Sequence, residues 1–151
     1  MTTVLSPKTV PIPASHLDLL TRPVCGVFTT MGADGQPRSS LVWVDHDGEC
    51  VRVNTTLERQ QGRNLLANPR VSLLVVDPDN PTRYVQIRGD AELVAAGARD
   101  HLDALARKYT GHPRCDDYIY PLERQGSETR VVCRIRARRV TLDAIHATVA
   151  P

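Results

Sequence analysis

The sequence is poor in aromatic residues and in excess charge of either sign. Phe, Trp and Tyr make up 4% of the 151 residues, and 19 Lys and Arg residues stand against 17 Asp and Glu residues. The net charge of +2 is far below that of proteins that bind nucleic acid or anionic membranes through a basic surface. We therefore expect neither of these partners, and we expect any anion site to be local.

The cysteines are few and widely spaced. Cys25, Cys50, Cys115 and Cys133 form no C-x-x-C pair, and the histidines lack the paired spacing of a zinc site. The sequence also lacks the ~18 consecutive apolar residues of a membrane span, and it has no apolar segment after a basic start. These features predict a cytoplasmic protein without a metal, in which reduced cysteines pack as small apolar side chains.

Several catalytic signatures are missing as well. The sequence contains no G-x-G-x-x-G, no P-loop, no G-x-S-x-G and no H-E-x-x-H. These absences exclude Rossmann dehydrogenases, P-loop NTPases, α/β-hydrolases and zincins. The five histidines have no Asp or Cys at a defined spacing, so no catalytic triad is predicted.

The residues that are present predict a single small domain. A mass of 16.7 kDa leaves little room for two domains. Three prolines within the first 13 residues exclude a regular helix, so residues 1–14 are predicted to form an extended arm and residues 15–151 the domain. Ser15 is predicted to cap a short helix that ends before Pro23.

Alternating β-branched and polar residues, broken by Asp-Gly turns, predict a mainly β fold with six to seven mostly antiparallel strands. The predicted strands cover residues 24–30, 39–45, 50–54, 71–77 and 84–94, with one or two more within 129–142. The first three are expected to form a meander. Helical spacing appears at 95–109 and at 55–67, where Thr55 and Glu58 have the spacing of a capping box. We expect a β-barrel with these helices outside it.

A candidate anion site lies at residues 54–64, where a predicted strand runs into a helix. The helix start offers unpaired backbone N–H groups and the hydroxyls of Thr55 and Thr56, while Arg59 and Arg63 share one helix face. Such a set of donors can bind phosphate. From spacing alone, however, an exposed helix whose arginines pair with Glu58 and other acids is the favoured interpretation.

The only Trp in the sequence, Trp43, lies on the strand predicted at 39–45. Alternation places Leu41 and Trp43 on one face of this strand, and Ser40 and Val42 on the other. From sequence alone, Trp43 is expected to fill the barrel or a contact between subunits.

The order of these segments resembles the pyridoxamine 5'-phosphate oxidase-like split β-barrel superfamily. The resemblance rests on GVFTT at 26–30, DGQPRSSLVWV at 34–44, VNTT at 53–56, GRNL at 62–65 and NPRVSL at 68–73. Within the superfamily, DPDNP at 77–81, RYV at 83–85 and KYTG at 108–111 are most similar to the deazaflavin branch, whose members use coenzyme F-420.

This resemblance implies a homodimer with the cofactor in a groove at the subunit interface. The ring would lie along the strand that carries Arg38, Ser40, Leu41, Val42 and Trp43, beside Thr55 and Thr56, and the phosphate tail would meet Arg59, Gly62, Arg63 and Asn64. Gln61 stands where relatives commonly carry a Lys, so one cofactor-binding charge is missing. Tyr84, Tyr118 and Tyr120 are candidates for a proton donor, although packing explains each of them equally well.

The implied activity is hydride transfer from reduced coenzyme F-420 to an electron-poor organic small molecule. Two alternatives remain open. The first is an FMN-dependent oxidase or reductase of the same fold. The second is a dimer that binds a cofactor or haem without turnover, which the Gln at position 61 favours.

Overall fold

Seven strands and three helices make up the computed structural model, which describes residues 9–113 and 127–145. The strands are β1 Gly26–Met31, β2 Pro37–Val42, β3 Asp45–His46, β4 Val51–Thr56, β5 Arg70–Val76, β6 Tyr84–Val94 and β7 Arg130–Leu142. The helices are α1 Asp18–Thr21, α2 Gln60–Ala67 and α3 Ala98–Thr110. The mainly β class and the number of strands predicted from the sequence are confirmed.

The seven strands form one antiparallel sheet in the order β2-β1-β5-β6-β7-β4-β3. Its two edge strands, β2 and β3, are consecutive in the chain and only Trp43 and Val44 separate them. Because two residues bridge only a short distance, the sheet must curl until its edges approach each other. The result is a split β-barrel whose open side lies between β2 and β3.

Both hairpins of the predicted meander form, but its second strand is divided into β2 and β3, so the three strands are not neighbours in one continuous order. β2 pairs with β1, whereas β3 and β4 pair with each other at the opposite edge of the sheet. Local patterns predict the tight turns, but they carry no information on how the hairpins are arranged in the sheet, because that depends on the curl of the whole sheet.

Alternate residues of the strands fill the barrel. Phe28, Leu73, Ile87 and Ile135 are fully buried, and the burial of each such side chain stabilises the fold by about 1.5–3 kcal/mol. Leu19 of α1 joins the same core. The barrel interior is therefore filled by side chains, and a ligand site must lie outside it.

Helix α2 begins later than its sequence predicts. The capping box predicted at Thr55 is absent, since β4 continues to Thr56 and the helix starts after Arg59. Strand pairing explains the difference, because Leu57 N–H still donates to Thr129 O at 2.9 Å. Glu58 accepts the Thr129 N–H at 2.9 Å instead of capping the helix. Tertiary hydrogen bonds here override a local capping signal.

Ser15 does not cap α1 either. Its hydroxyl lies 2.8 Å from Nδ1 of His16, and the helix spans only Asp18–Thr21. Of the predicted N-terminal arm, residues 9–13 form neither helix nor strand, and Val10 N–H donates to Ala137 O at 2.8 Å. Residues 1–8 lie outside the described residues. Within the two described ranges, no helix combines the length and hydrophobicity of a bilayer crossing.

A buried polar pair joins the two ends of the domain. His16 Nε2 lies 2.7 Å from Asp143 Oδ1, and both side chains are almost completely buried. Tyr84 N–H donates to the same carboxylate oxygen at 3.1 Å. The segment before α1 is therefore fastened to the residue that follows β7.

We expect this pair to stabilise the fold more than an exposed ion pair does. Replacing Asp143 by Ala leaves the His16 ring and the Tyr84 N–H without their buried acceptor, so the free energy of unfolding should fall by about 3 kcal/mol. Urea denaturation measures the change.

The matched control is Asp79→Ala. Asp79 is 81% exposed and pairs with Arg22 at 2.9 Å, and surface pairs of this kind contribute little. Equal losses of stability in the two variants would contradict the role assigned to Asp143.

Candidate functional site

A cavity of about 600 Å³ opens beside the edge strand β2. It lies between β2, the start of α2, one face of α3 and the adjoining ends of β4 and β7. The lining residues are Cys25, Arg38, Ser40, Leu41, Val42, Trp43, Asn54, Arg59, Gln60, Gln61, Leu102, Leu105 and Arg130. The cavity thus combines a wall of apolar and aromatic side chains with three guanidinium groups.

Strand β2 forms one wall of the cavity. Its residues from Pro37 to Leu41 are exposed, and Leu41 is 74% exposed. In the described part of the chain β2 pairs with β1 alone, so its second edge presents backbone N–H and C=O groups outward. A planar ligand or a second chain can therefore approach this strand.

Trp43, which follows β2, is held by the end of α3. Its ring stacks on the ring of Tyr109 with centroids 5.2 Å apart and planes 10° from parallel. The Tyr109 hydroxyl donates to Val24 O at 2.7 Å and accepts the Val44 N–H at 3.0 Å. Burial raises the pKa of Tyr109 to about 12, so this hydroxyl keeps its proton at neutral pH. Tyr109 therefore fixes both the Trp43 ring and the backbone beside it.

Lys108 binds the backbone of the same short segment between β2 and β3. Its Nζ donates to Val44 O at 2.6 Å and to Leu20 O at 2.7 Å, and it lies 5.1 Å from the Tyr109 ring centroid. Burial lowers the pKa of this ammonium group. Together the two residues satisfy the backbone where the chain crosses from β2 to β3.

The start of α2 forms the opposite side of the cavity. Gln61 Nε2 donates to Ser40 Oγ at 3.0 Å and so links α2 to β2. Arg38 and Arg59 are exposed at the rim, and no hydrogen bond or ion pair within residues 9–113 and 127–145 engages either guanidinium. Both guanidinium groups are therefore available to an anion.

A close backbone approach positions this helix. A Cβ on Gly62 would lie 2.1 Å from Thr56 O and 2.7 Å from Leu57 Cα. Only glycine permits α2 to pack so tightly on the end of β4. The close contact at Gly62 therefore fixes the start of α2, which carries the lining residues Arg59 and Gln61.

Two other predicted residues of α2 do not line this cavity. The Arg63 guanidinium donates to Glu58 O and, at 2.8 Å, to Gln60 Oε1, so it folds back onto its own helix start. Asn64 is buried and donates to Thr30 Oγ1 at 3.1 Å. It lines a neighbouring cavity of about 450 Å³ beside the turn between β1 and β2.

The predicted threonines and tyrosines also lie elsewhere. Thr55 and Thr56 are fully buried, and their hydroxyls have no hydrogen-bond partner among the described residues. Tyr84 lies at the start of β6 and lines neither of the two cavities described above. Tyr118 and Tyr120 lie outside the described residues.

Sequence reasoning missed several lining residues. Leu102 and Leu105 lie within the segment of helical spacing at 95–109, but their contact with a ligand cavity depends on how α3 docks. Asn54 and Arg130 meet only through the pairing of β4 with β7, for which the sequence contains no local signal. Among the described residues, no three His, Cys, Asp or Glu side chains group around a potential metal position.

Comparison of sequences identifies the family. The profile of the pyridoxamine 5'-phosphate oxidase family matches residues 12–142. No match was found among curated proteins.

Solved structures supply further comparisons. An F-420 reductase is 33% identical with a TM-score of 0.71, and the alignment covers 86% of this chain and 98% of that protein. A conserved hypothetical protein of Mycobacterium tuberculosis is 28% identical with a TM-score of 0.67 and coverages of 99% and 98%. HupZ of Group A Streptococcus, at 20% identity and TM-score 0.63 over 93% and 100% of the chains, shares the fold.

The contacts of Tyr109 lead to a test of the cavity wall. Tyr109→Phe keeps the ring stack but leaves Val24 O and Val44 N–H without the hydroxyl, so we expect a loss of about 1–3 kcal/mol in the free energy of unfolding. Tyr109→Leu should lose roughly 0.5–1.5 kcal/mol more because the stack on Trp43 is also removed. Urea denaturation followed by the fluorescence of the single Trp measures both changes.

Tyr84→Phe is the matched control, because the Tyr84 hydroxyl makes no hydrogen bond within the described ranges. It should leave stability nearly unchanged. A Tyr109→Phe variant that unfolds at the same urea concentration as Tyr84→Phe would show that the hydroxyl does not hold the crossing.

Proposed function

Because this chain belongs to the pyridoxamine 5'-phosphate oxidase family, as its sequence predicts, we propose that it is an oxidoreductase that transfers a hydride from reduced coenzyme F-420 to an electron-poor organic substrate. The observation that carries the proposal is the cavity beside β2. It pairs a wall of strand backbone and aromatic surface with the guanidinium groups of Arg38, Arg59 and Arg130. A planar ring with an anionic tail needs both features.

The chemistry of the donor set fits this cofactor. Arg38 and Arg59 at the rim suit the phosphate and carboxylate groups of a long tail, because guanidinium binds oxyanions through paired N–H donors. The outward edge of β2 suits the polar edge of a ring. The F-420 reductase at 33% identity favours the deazaflavin over FMN, which would use the same wall and a shorter tail.

When bound, the reduced deazaflavin ring supplies the hydride. The chain's own residues orient the ring and exclude water. Trp43, fixed by Tyr109, closes the cavity on one side, and Leu102 and Leu105 close it on another. The described lining residues include no carboxylic acid and no histidine, so we propose no side chain as the acid and expect the substrate to take its proton from solvent.

A second copy of the chain is proposed to complete the site. Leu41 on β2 and Leu66 on α2 are 74% and 62% exposed. Leu41 lines the cavity, and Leu66 belongs to the helix whose first turn lines it. Apolar side chains exposed beside an unpaired strand edge are typical of a surface covered by a partner. The homodimer would close the groove from outside.

Titration of the purified protein with coenzyme F-420, FMN and haem, side by side, tests the cofactor. We expect coenzyme F-420 to bind tightest, and we expect the protein loaded with the reduced cofactor to reduce electron-poor acceptors such as quinones or nitroaromatics while the cofactor is oxidised. Tighter binding of FMN would assign the oxidase or reductase alternative. Tight binding of any of the three without turnover of an acceptor panel would assign a binding protein.

Two arginines of the same helix region test the placement of the tail. Arg59→Ala should weaken binding of coenzyme F-420 by about 1.5–3 kcal/mol, or roughly 10- to 150-fold in Kd, because Arg59 lines the cavity. Arg63→Ala should have the smaller effect, because its guanidinium bonds to Glu58 O and Gln60 in the protomer. Quenching of cofactor fluorescence measures both; a larger effect at Arg63 would favour the tail position that the family resemblance implies.

The proposed dimer has a direct test. Light scattering at micromolar concentration should give a mass near twice 16.7 kDa. Leu41→Lys places a charge on the exposed edge strand and should shift the protein towards monomer, while Arg107→Lys on α3 should not. A monomeric wild-type protein would contradict the shared site.

A further inference from the structure

We propose that Arg130 is a pre-positioned anion-binding residue that selects substrates carrying a carboxylate or a similar oxyanion. The proposal rests on the proposed function, because it assigns the substrate class of the same cavity. Arg38 and Arg59 would hold the cofactor tail at the rim, and Arg130 would hold the charged group of the acceptor at the inner wall.

Arg130 differs from the two rim arginines in its surroundings. It is the first residue of β7, lines the cavity, and its side chain is only 13% exposed. Its Nη1 donates to Asn54 Oδ1 at 2.8 Å, and Nη2 lies 3.7 Å from Glu128. A guanidinium has five N–H donors and can hold a protein acceptor and a ligand oxyanion together.

A partly buried series of hydrogen bonds fixes the direction of this contact. The Asn54 amide nitrogen donates to Ala98 O at 2.8 Å and lies 3.0 Å from His101 Nδ1. Both of its N–H groups are thereby directed at α3, so Asn54 Oδ1 must face Arg130. Asn54 is the positioning residue that sets the guanidinium in place.

His101 fixes the amide in turn. Its side chain is 2% exposed, and Nε2 lies 3.1 Å from Asp45 Oδ1. Since Nδ1 accepts from Asn54, the ring must carry its proton on Nε2 and donate it to Asp45. Arg52 donates to both Asp45 oxygens, at 2.9 and 2.7 Å, so the series of hydrogen bonds that begins at Arg130 ends on a carboxylate held by a second guanidinium.

The cavity wall beside Arg130 defines the ligand. Leu102, Leu105 and Trp43 line the same cavity. Apolar and aromatic surface suits an electron-poor ring, and a planar guanidinium that is fixed and mostly buried suits a carboxylate bound through two parallel hydrogen bonds. The substrate class is therefore a planar acceptor with one acidic group.

Binding to the cofactor-free protein tests this inference without turnover. The probes are 4-nitrobenzoate and its methyl ester, which share the nitroaromatic ring but differ in charge, and the readout is quenching of Trp43, the single Trp of the chain. We expect the acid to bind at least about 10-fold tighter than the ester, and Arg130→Gln to abolish this preference. Equal binding of acid and ester by the wild-type protein would overturn the proposal.

Three further variants separate positioning from charge and from folding. Arg130→Lys keeps the charge but not the planar fork, so the preference for the acid should fall and not vanish. Asn54→Ala should also reduce it, with ester binding unchanged, because the amide acts only through Arg130. Arg38→Gln, at the exposed rim, should preserve the preference; its loss there would place the anion site at the rim and overturn the assignment of Arg130.

The cofactor phosphate is the competing source of the anion. If Arg130 binds the tail, Arg130→Gln will weaken coenzyme F-420 while the preference for 4-nitrobenzoate persists, and this outcome overturns the proposal. We expect the reverse pattern. If the chain binds no deazaflavin or flavin, the proposed function is wrong. That result does not affect the test of Arg130, because the preference for the acid is measured without cofactor.

Discussion

The structure depends on how the chain crosses the open side of the barrel. Only Trp43 and Val44 lie between the edge strands β2 and β3, and a backbone that leaves a sheet must find other partners for its polar groups. Tyr109 and Lys108 supply those partners from the end of α3. The barrel can remain split because side chains, and not a further strand, satisfy this crossing. The exposed edge of β2 is the consequence.

The same contacts couple the fold to the site. The Tyr109 ring that satisfies the crossing also stacks on Trp43, so one residue sets both the barrel opening and one wall of the cavity. On the other side, Gly62 lets α2 pack against the end of β4. The cavity therefore lies between two tightly packed junctions, which gives its lining a defined geometry although β2 itself is exposed.

Local patterns predict part of this arrangement. Alternation and turn residues predict the strands because a half-buried strand requires that pattern, and the end of α2 before Pro69 follows from the restriction that proline imposes. The start of α2 does not follow, since β4 continues through pairing with β7. Contacts such as Asn54 with Arg130, 76 residues apart, depend on sheet register, which no short segment encodes.

The distribution of charge explains how a nearly neutral protein can offer an anion site. Besides Arg130, which lies near Glu128, three arginines of β7 pair with carboxylates: Arg134 with Asp47 at 3.1 Å, Arg136 with Glu92 at 3.3 Å and Arg138 with Asp90 at 2.7 Å. Arg38 and Arg59 at the cavity have no such partner within the described residues. Opposite charges held close together largely cancel each other at a distance, so an anion at the cavity is attracted by the guanidinium groups that line it, Arg38, Arg59 and Arg130, and much less by these three pairs. The net charge of +2 is thus compatible with strong local attraction, because paired arginines contribute to the count of cations but hardly to the field.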